Sequence, residues 1–303
     1  MPPLSHPTRI LCCALAVITA PALWPAPVEA KSAREEVAEK LVLAGRQRML
    51  AEGMAFKLCL TQSGVAAEQS LNELYVMWNV FSWYHAGLRY GNLQLDLSTE
   101  RDRGVLASWR ALDTDWAELK AIYEPAIGGQ AVSEADFARA QAITETVSTR
   151  ATDLVAALRS AYASELGARG FGTALLLDLY ERQRMLAEQI AKEVCLIYRG
   201  DVTEARRQRL ADARRLFTLS LEAFQKGRAD AGVPKPPSPE IEAHLQDVQR
   251  HWVPADTLSE AAAGGRRPGA AEISAFNTSV DLTLSSMTAA INGLISIQRR
   301  AAE

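Results

Sequence analysis

The chain has 303 residues, enough for two domains of ordinary size, and its 36 acidic and 33 basic side chains leave a net charge of −3. That mildly acidic balance excludes nucleic-acid binding as the main activity. A content of 48% hydrophobic and 23% charged residues excludes disorder over most of the length.

The first 30 residues read as a secretory signal. Arg9 supplies a thin positive region, Ile10 to Ala20 is apolar, and Val28-Glu29-Ala30 resembles a small-residue cleavage site. The apolar core is too short to span a bilayer, and Cys12 and Cys13 lie too early in it for a lipid anchor. No later stretch offers about 18 uncharged apolar residues in a row. The expectation is an exported periplasmic protein, cleaved after Ala30, that does not span the membrane.

Residues 34 to 62 predict one long helix, with Leu41, Ala44, Arg48, Ala51, Ala55 and Leu58 at i+3/i+4 spacing and no proline. A second helix covers 66 to 90 and ends at Gly91-Asn92. A third starts near Thr99, carries Trp109 and Trp116, and stops at Pro125 and Gly128-Gly129. Ser133 and Asp136 resemble a capping box for a fourth, which runs to about Glu165. The glycine-rich stretch 167–172 divides the chain. Helices are then predicted over about 173–199, from Thr203 to Gly227, through Trp252 after a proline-rich loop, and over roughly 271–300. No convincing strand is found.

Both halves contain one sequence. Arg46-Gln47-Arg48-Met49-Leu50-Ala51-Glu52 recurs as Arg182-Gln183-Arg184-Met185-Leu186-Ala187-Glu188, an offset of 136 (182 − 46). Ala55 and Ala191, Cys59 and Cys195, Phe81 and Phe217, Gly91 and Gly227, and Trp116 and Trp252 continue the correspondence. In the last helix the offset drifts to 139, matching Phe137 with Phe276. A whole unit is therefore duplicated. The predicted fold is all-α, two tandem up-and-down four-helix bundles (31–166 and 167–303) packed as a pseudo-dimer.

Arg48, Glu52, Ala55 and Cys59 share one stripe of their helix, and Arg184, Glu188, Ala191 and Cys195 repeat it; Arg46 points elsewhere. If the two motif helices meet side by side and parallel, Cys59 faces Cys195 and Arg48 faces Arg184. A structural disulfide is the favoured reading. A redox switch or soft-metal pair lacks His or Cys neighbours at ligand spacing. Two arginines at such a seam need something negative between them, and their planar forks suit small oxyanions. The alternative is local pairing at i,i+4, Arg48 with Glu52 and Arg184 with Glu188.

Leu43-Ala44-Gly45-Arg46-Gln47-Arg48-Met49-Leu50 resembles the signature of the type IV pilus chemotaxis-transducer N-terminal (PilJ-like) domain, a group that includes periplasmic nitrate/nitrite sensor domains. The resemblance implies that this helix lies at a dimer interface and that the arginine before the methionine contacts nitrate or nitrite. Those arginines are Arg48 and Arg184. Gly45 matches the family's glycine, whereas its counterpart is Glu181. Glu52 and Glu188 stand where the family often has a small polar residue. With no kinase or methyl-accepting region in the sequence, a signal would pass by contact to a membrane kinase or chemotaxis transducer.

Other signals are weaker. His85, His244 and His251 form no metal set, and no metal or cofactor is expected. Trp78, Trp83, Trp109, Trp116 and Trp252 read as core, and Arg206, Arg207, Arg209, Arg214 and Arg215 as a solvated basic face. No arrangement of acid, base or nucleophile suggests an enzyme. The leading expectation is a non-enzymatic sensory or binding protein with Gly45, Arg48, Glu52, Arg184 and Glu188 around the ligand. The rival is a ligand-free scaffold of the envelope or pilus system.

Overall fold

The computed structural model describes residues 32–302; the expected signal segment and its cleavage site lie outside them. The described chain is all-α: α1 (Ala33–Gln62), α2 (Ala67–Tyr90), α3 (Arg103–Ile127), α4 (Glu134–Ala161), α5 (Ala163–Tyr198), α6 (Glu204–Lys226), α7 (Pro239–Ala263) and α8 (Ala270–Ala302). Helices α1–α4 pack as one four-helix unit and α5–α8 as another, and the most extensive helix–helix contact in the molecule joins α1 to α5.

Local chemistry sets the helix ends. Ser32 and Glu35 form a reciprocal capping box at the start of α1, and the Asp102, Ser133 and Ser238 side chains cap α3, α4 and α7. α3 starts at Arg103, later than the predicted Thr99, because Asp102 supplies the cap. The prolines do not stop their helices. α3 runs past Pro125 to Ile127, and α7 runs past Trp252 and Pro254 to Ala263. Beyond Pro254 the residues Ala255, Leu258 and Ala262 are core, and their burial offsets the backbone hydrogen bond that proline removes. The break between the halves is a kink at Gly167 (φ 59°), with helix resuming directly after it.

The duplication is visible in three dimensions at an offset of 136. Phe81 stacks on Trp116 at 4.1 Å between ring centroids, and Phe217 on Trp252 at 4.0 Å. Gly91 (φ 80°) and Gly227 (φ 76°) end α2 and α6. Each is followed by a small loop closed by an isolated bridge, Asn92 with Leu97 and Arg228 with Val233. The register holds into the last helix, since Phe137 and Ile273 donate their N–H groups to Ser133 and Gly269, again 136 apart. The drift to 139 predicted from Phe276 is thus not present at the start of α8.

α1 is a central element. From Lys40 to Leu60 every residue except Arg46 is buried, so the helix has no solvent face. α8 corrects the expectation about membrane spans: Ala270–Ile297 is long and apolar enough to cross a bilayer, with a mean hydropathy of 1.3 and 39% of that window buried. Its Ser, Thr and Asn residues lower hydropathy without adding charge. Its buried stripe (Ile273, Phe276, Val280, Met287, Ile291 and Leu294) packs into the second bundle. Trp83 is 39% exposed rather than core, whereas Trp109, Trp116 and Trp252 are buried.

Candidate functional site: the buried ionic seam between α1 and α5

α1 and α5 run parallel and in the predicted register. Cys59 and Cys195 are joined by a disulfide with a Cα–Cα distance of 6.3 Å, and both side chains are fully buried. Fourteen residues earlier, Gly45 lies against its own counterpart, Glu181. The seam between these points carries an unusual density of buried charge.

Arg48 is 1% exposed; its Nη2 donates to Asp178 Oδ1 at 2.5 Å, and its Nε donates back to the Gly45 carbonyl at 3.3 Å. Arg159 approaches the other Asp178 oxygen at 3.9 Å. Arg184 donates from Nη1 to Glu181 Oε2 at 2.9 Å. Arg46, which helical phase alone turns away, donates from Nε to Glu181 Oε1 at 3.0 Å and from Nη1 to Tyr84 at 3.4 Å. Burial opposes the charge on Arg46, but the Glu181 carboxylate outweighs it and holds the guanidinium above its ordinary pKa. The two arginines that meet on one carboxylate are therefore Arg46 and Arg184, while Arg48 is held by Asp178. Glu181 thus bridges two guanidinium groups, and Asp178 lies between Arg48 and Arg159. The Nε of Arg184 is buried without a hydrogen-bond partner.

The glutamates of the motif do not pair with the arginines at i,i+4. Glu52 takes an ion pair from Lys192 across the seam at 2.9 Å, and Lys192 is itself 1% exposed. Burial raises the Glu52 pKa, with Lys192 opposing. Glu188 has no hydrogen bond at either oxygen and is completely buried. Burial pushes its pKa up to about 7, although Lys57 and Arg184 favour the charged form. It occupies space left by Gly53, where a Cβ would come within 2.9 Å of Glu188 Oε1 and of Met77 Sδ. Lys57 lies nearby, paired with Glu73 at 2.6 Å, Asp281 at 3.0 Å and Asn277 at 2.8 Å.

Sequence reasoning missed Asp178, Glu181, Arg159 and Lys192. Only Glu181 carried a signal, as the carboxylate standing where the first copy has glycine. The basic stretch on α6 is engaged in part: Arg206 reaches Glu193 at 2.5 Å and Asp201 at 2.7 Å, and Arg214 reaches Asp256 at 3.0 Å, whereas Arg215 stays exposed. His85 is buried, bonded to Asp113 at 3.0 Å and Gln47 at 3.2 Å, and burial lowers its pKa to about 4.

The seam is thus carried by two parallel helices, α1 and α5, that join along their length. Residues 182–275 match the family described as type IV pili methyl-accepting chemotaxis transducer N-term, the family that the motif at 43–50 resembles. The match begins at Arg182, in the second copy of the motif. That description is of a sensory, signal-transducing family, and the match covers less than half of this chain. No curated protein matches the chain.

Proposed function

We propose that the protein is an exported sensory binding protein that holds a small anion, nitrate or nitrite, at the arginine end of the α1–α5 seam. It signals by contact with a membrane kinase or chemotaxis transducer. The observation that carries this reading is the unpartnered, buried Nε of Arg184, beside an arginine that shares the same carboxylate. A buried donor left unpaired costs about 1–3 kcal/mol, and an oxyanion would satisfy it.

Calorimetric titration with nitrate and nitrite against chloride tests it. Saturable binding that disappears in Arg48→Ala/Arg184→Ala supports the site, and absence of heat with every oxyanion overturns it. One observation favours a ligand-free scaffold as the second reading: Asp178 and Glu181 already supply internal counter-charges. In that case the wild-type protein binds no oxyanion, while a protein partner binds it without any ligand.

A further inference from the structure

The two copies also differ where α1 and α5 meet the loops after α2 and α6, although the loop backbones agree. In the first, Glu36 on α1 reaches the loop after α2, accepting from the Ser98 N–H at 2.8 Å and the Ser98 hydroxyl at 2.5 Å. Lys40 reinforces it, 3.1 Å from Glu36 and 3.3 Å from Glu100, and Tyr162 donates to Glu100 at 2.5 Å. A carboxylate and a long cation therefore fill the angle between α1 and the 92–97 loop.

In the second copy, Gly172 stands for Glu36, Leu176 for Lys40, Pro234 for Ser98 and Pro236 for Glu100, each 136 residues on. The 228–233 loop keeps the same bridge and the same left-handed position, with Gly232 (φ 70°) matching Asp96 (φ 50°). Among the described residues none fills the place of the lost Glu36 side chain: a Cβ on Gly172 would meet no described atom within 4 Å. What remains is an open hollow of about 810 Å³ whose lining includes Leu176, Val233, Lys226 and Lys235. Lys226 is engaged by Glu222 at 2.7 Å, and Lys235 is exposed.

We propose that this hollow is a second binding site, for a small organic carboxylate with a short apolar chain. The carboxylate pairs with Lys235, and the chain lies on Leu176, Val233 and Pro234, in the space that the Glu36 and Lys40 side chains fill in the first copy. The volume falls within the range of roughly 300–1,000 Å³ usual for small-molecule pockets. Apolar contact supplies affinity and the lysine supplies orientation. This site lies apart from the arginine seam and does not depend on it.

The test is an amide NMR titration of the described chain with hexanoate, using hexanol and a hexaglutamate peptide as controls. The expected result is saturable shifts at Gly172, Thr173 and Gly232 with hexanoate alone. Gly172→Glu, which installs the first copy's own carboxylate, weakens binding by tenfold or more. Lys235→Ala, at an exposed residue whose loss leaves the fold intact, weakens it several-fold. Arg48→Ala/Arg184→Ala leaves it unchanged, so the two sites are distinguished. No saturable shift with hexanoate, equal binding of hexanol, binding of hexaglutamate alone, or unaltered affinity in both Gly172→Glu and Lys235→Ala would each overturn the proposal.

Discussion

Gly45 and Glu181 hold the same position in the two copies and lie against each other across the seam. A Cβ on Gly45 would stand 3.4 Å from the Glu181 Cβ and 3.2 Å from Arg48 Nη2. The glycine of one copy makes room for the glutamate of the other, and that glutamate then ties Arg46 to Arg184. What looked in the sequence like a lapse in the repeat is a complementary pair.

Gly45→Leu should therefore lower stability by about 1–3 kcal/mol, the usual cost of overpacking, despite leucine's better helix propensity. Urea unfolding measures it. An unchanged midpoint would show that the two helices have room to separate at this point.

Glu181→Ala removes the carboxylate and leaves two arginines facing each other in a poorly hydrated place. Breaking a buried pair in this way costs about 3–5 kcal/mol. If the seam accepts oxyanions, added nitrate should restore more stability to this variant than to the wild type, read as a thermal shift that grows with ligand. Equal shifts in both proteins would argue against an anion position between Arg46 and Arg184.

Glu188 sets a pH dependence. Its carboxyl has an ordinary pKa of 4.5 when unfolded and about 7 when folded, so between those values the folded state binds more protons. Stability contributed by protonated Glu188 is thus present at low pH and lost as pH rises from about 4.5 through about 7. At about 1.4 kcal/mol per pKa unit, the loss is up to roughly 3 kcal/mol. His85, lowered to about 4, slopes the other way below its unfolded value of 6.5. The Glu188 part is therefore read as the difference between the wild type and Glu188→Gln. The variant should gain on the wild type as pH increases to 8, and parallel profiles would exclude the effect.

Cys59→Ala/Cys195→Ala should cost roughly 4–5 kcal/mol, the loop-entropy value for so long a closed loop. Because both sulfurs are fully buried, the native protein should resist alkylation without reductant. Mass spectrometry finding Cys59 and Cys195 as free thiols in the native protein would contradict the bond.

Much of this was legible in the chain. The repeat gave the bundle class, the parallel register and the cysteine pair, because one offset of 136 fixes them all once the two motif helices are placed side by side. The partners of the arginines were not legible. Helical phase predicts a contact only when a helix has one buried face, and α1 is buried on every side from Lys40 to Leu60 apart from Arg46. Arg46 therefore meets α5 although it lies well off the Arg48 stripe. Pro125 misled for a different reason: α3 runs two residues past it to end before Gly128, and Ala126 is held by core contacts that the local sequence does not announce.

The position of the disulfide has a mechanical consequence. It pins α1 to α5 at one end of the seam, while the arginines lie eleven residues or more away, about 16 Å at 1.5 Å per residue. A covalent rivet at that end forbids the two helices from sliding past each other there. Relative motion is left to the far end, where opening by a small angle about the rivet changes the gap most. A ligand entering between the guanidinium groups would work at the long arm of a lever, and whatever reads the signal should grip the helices near Gly45 rather than near Cys59.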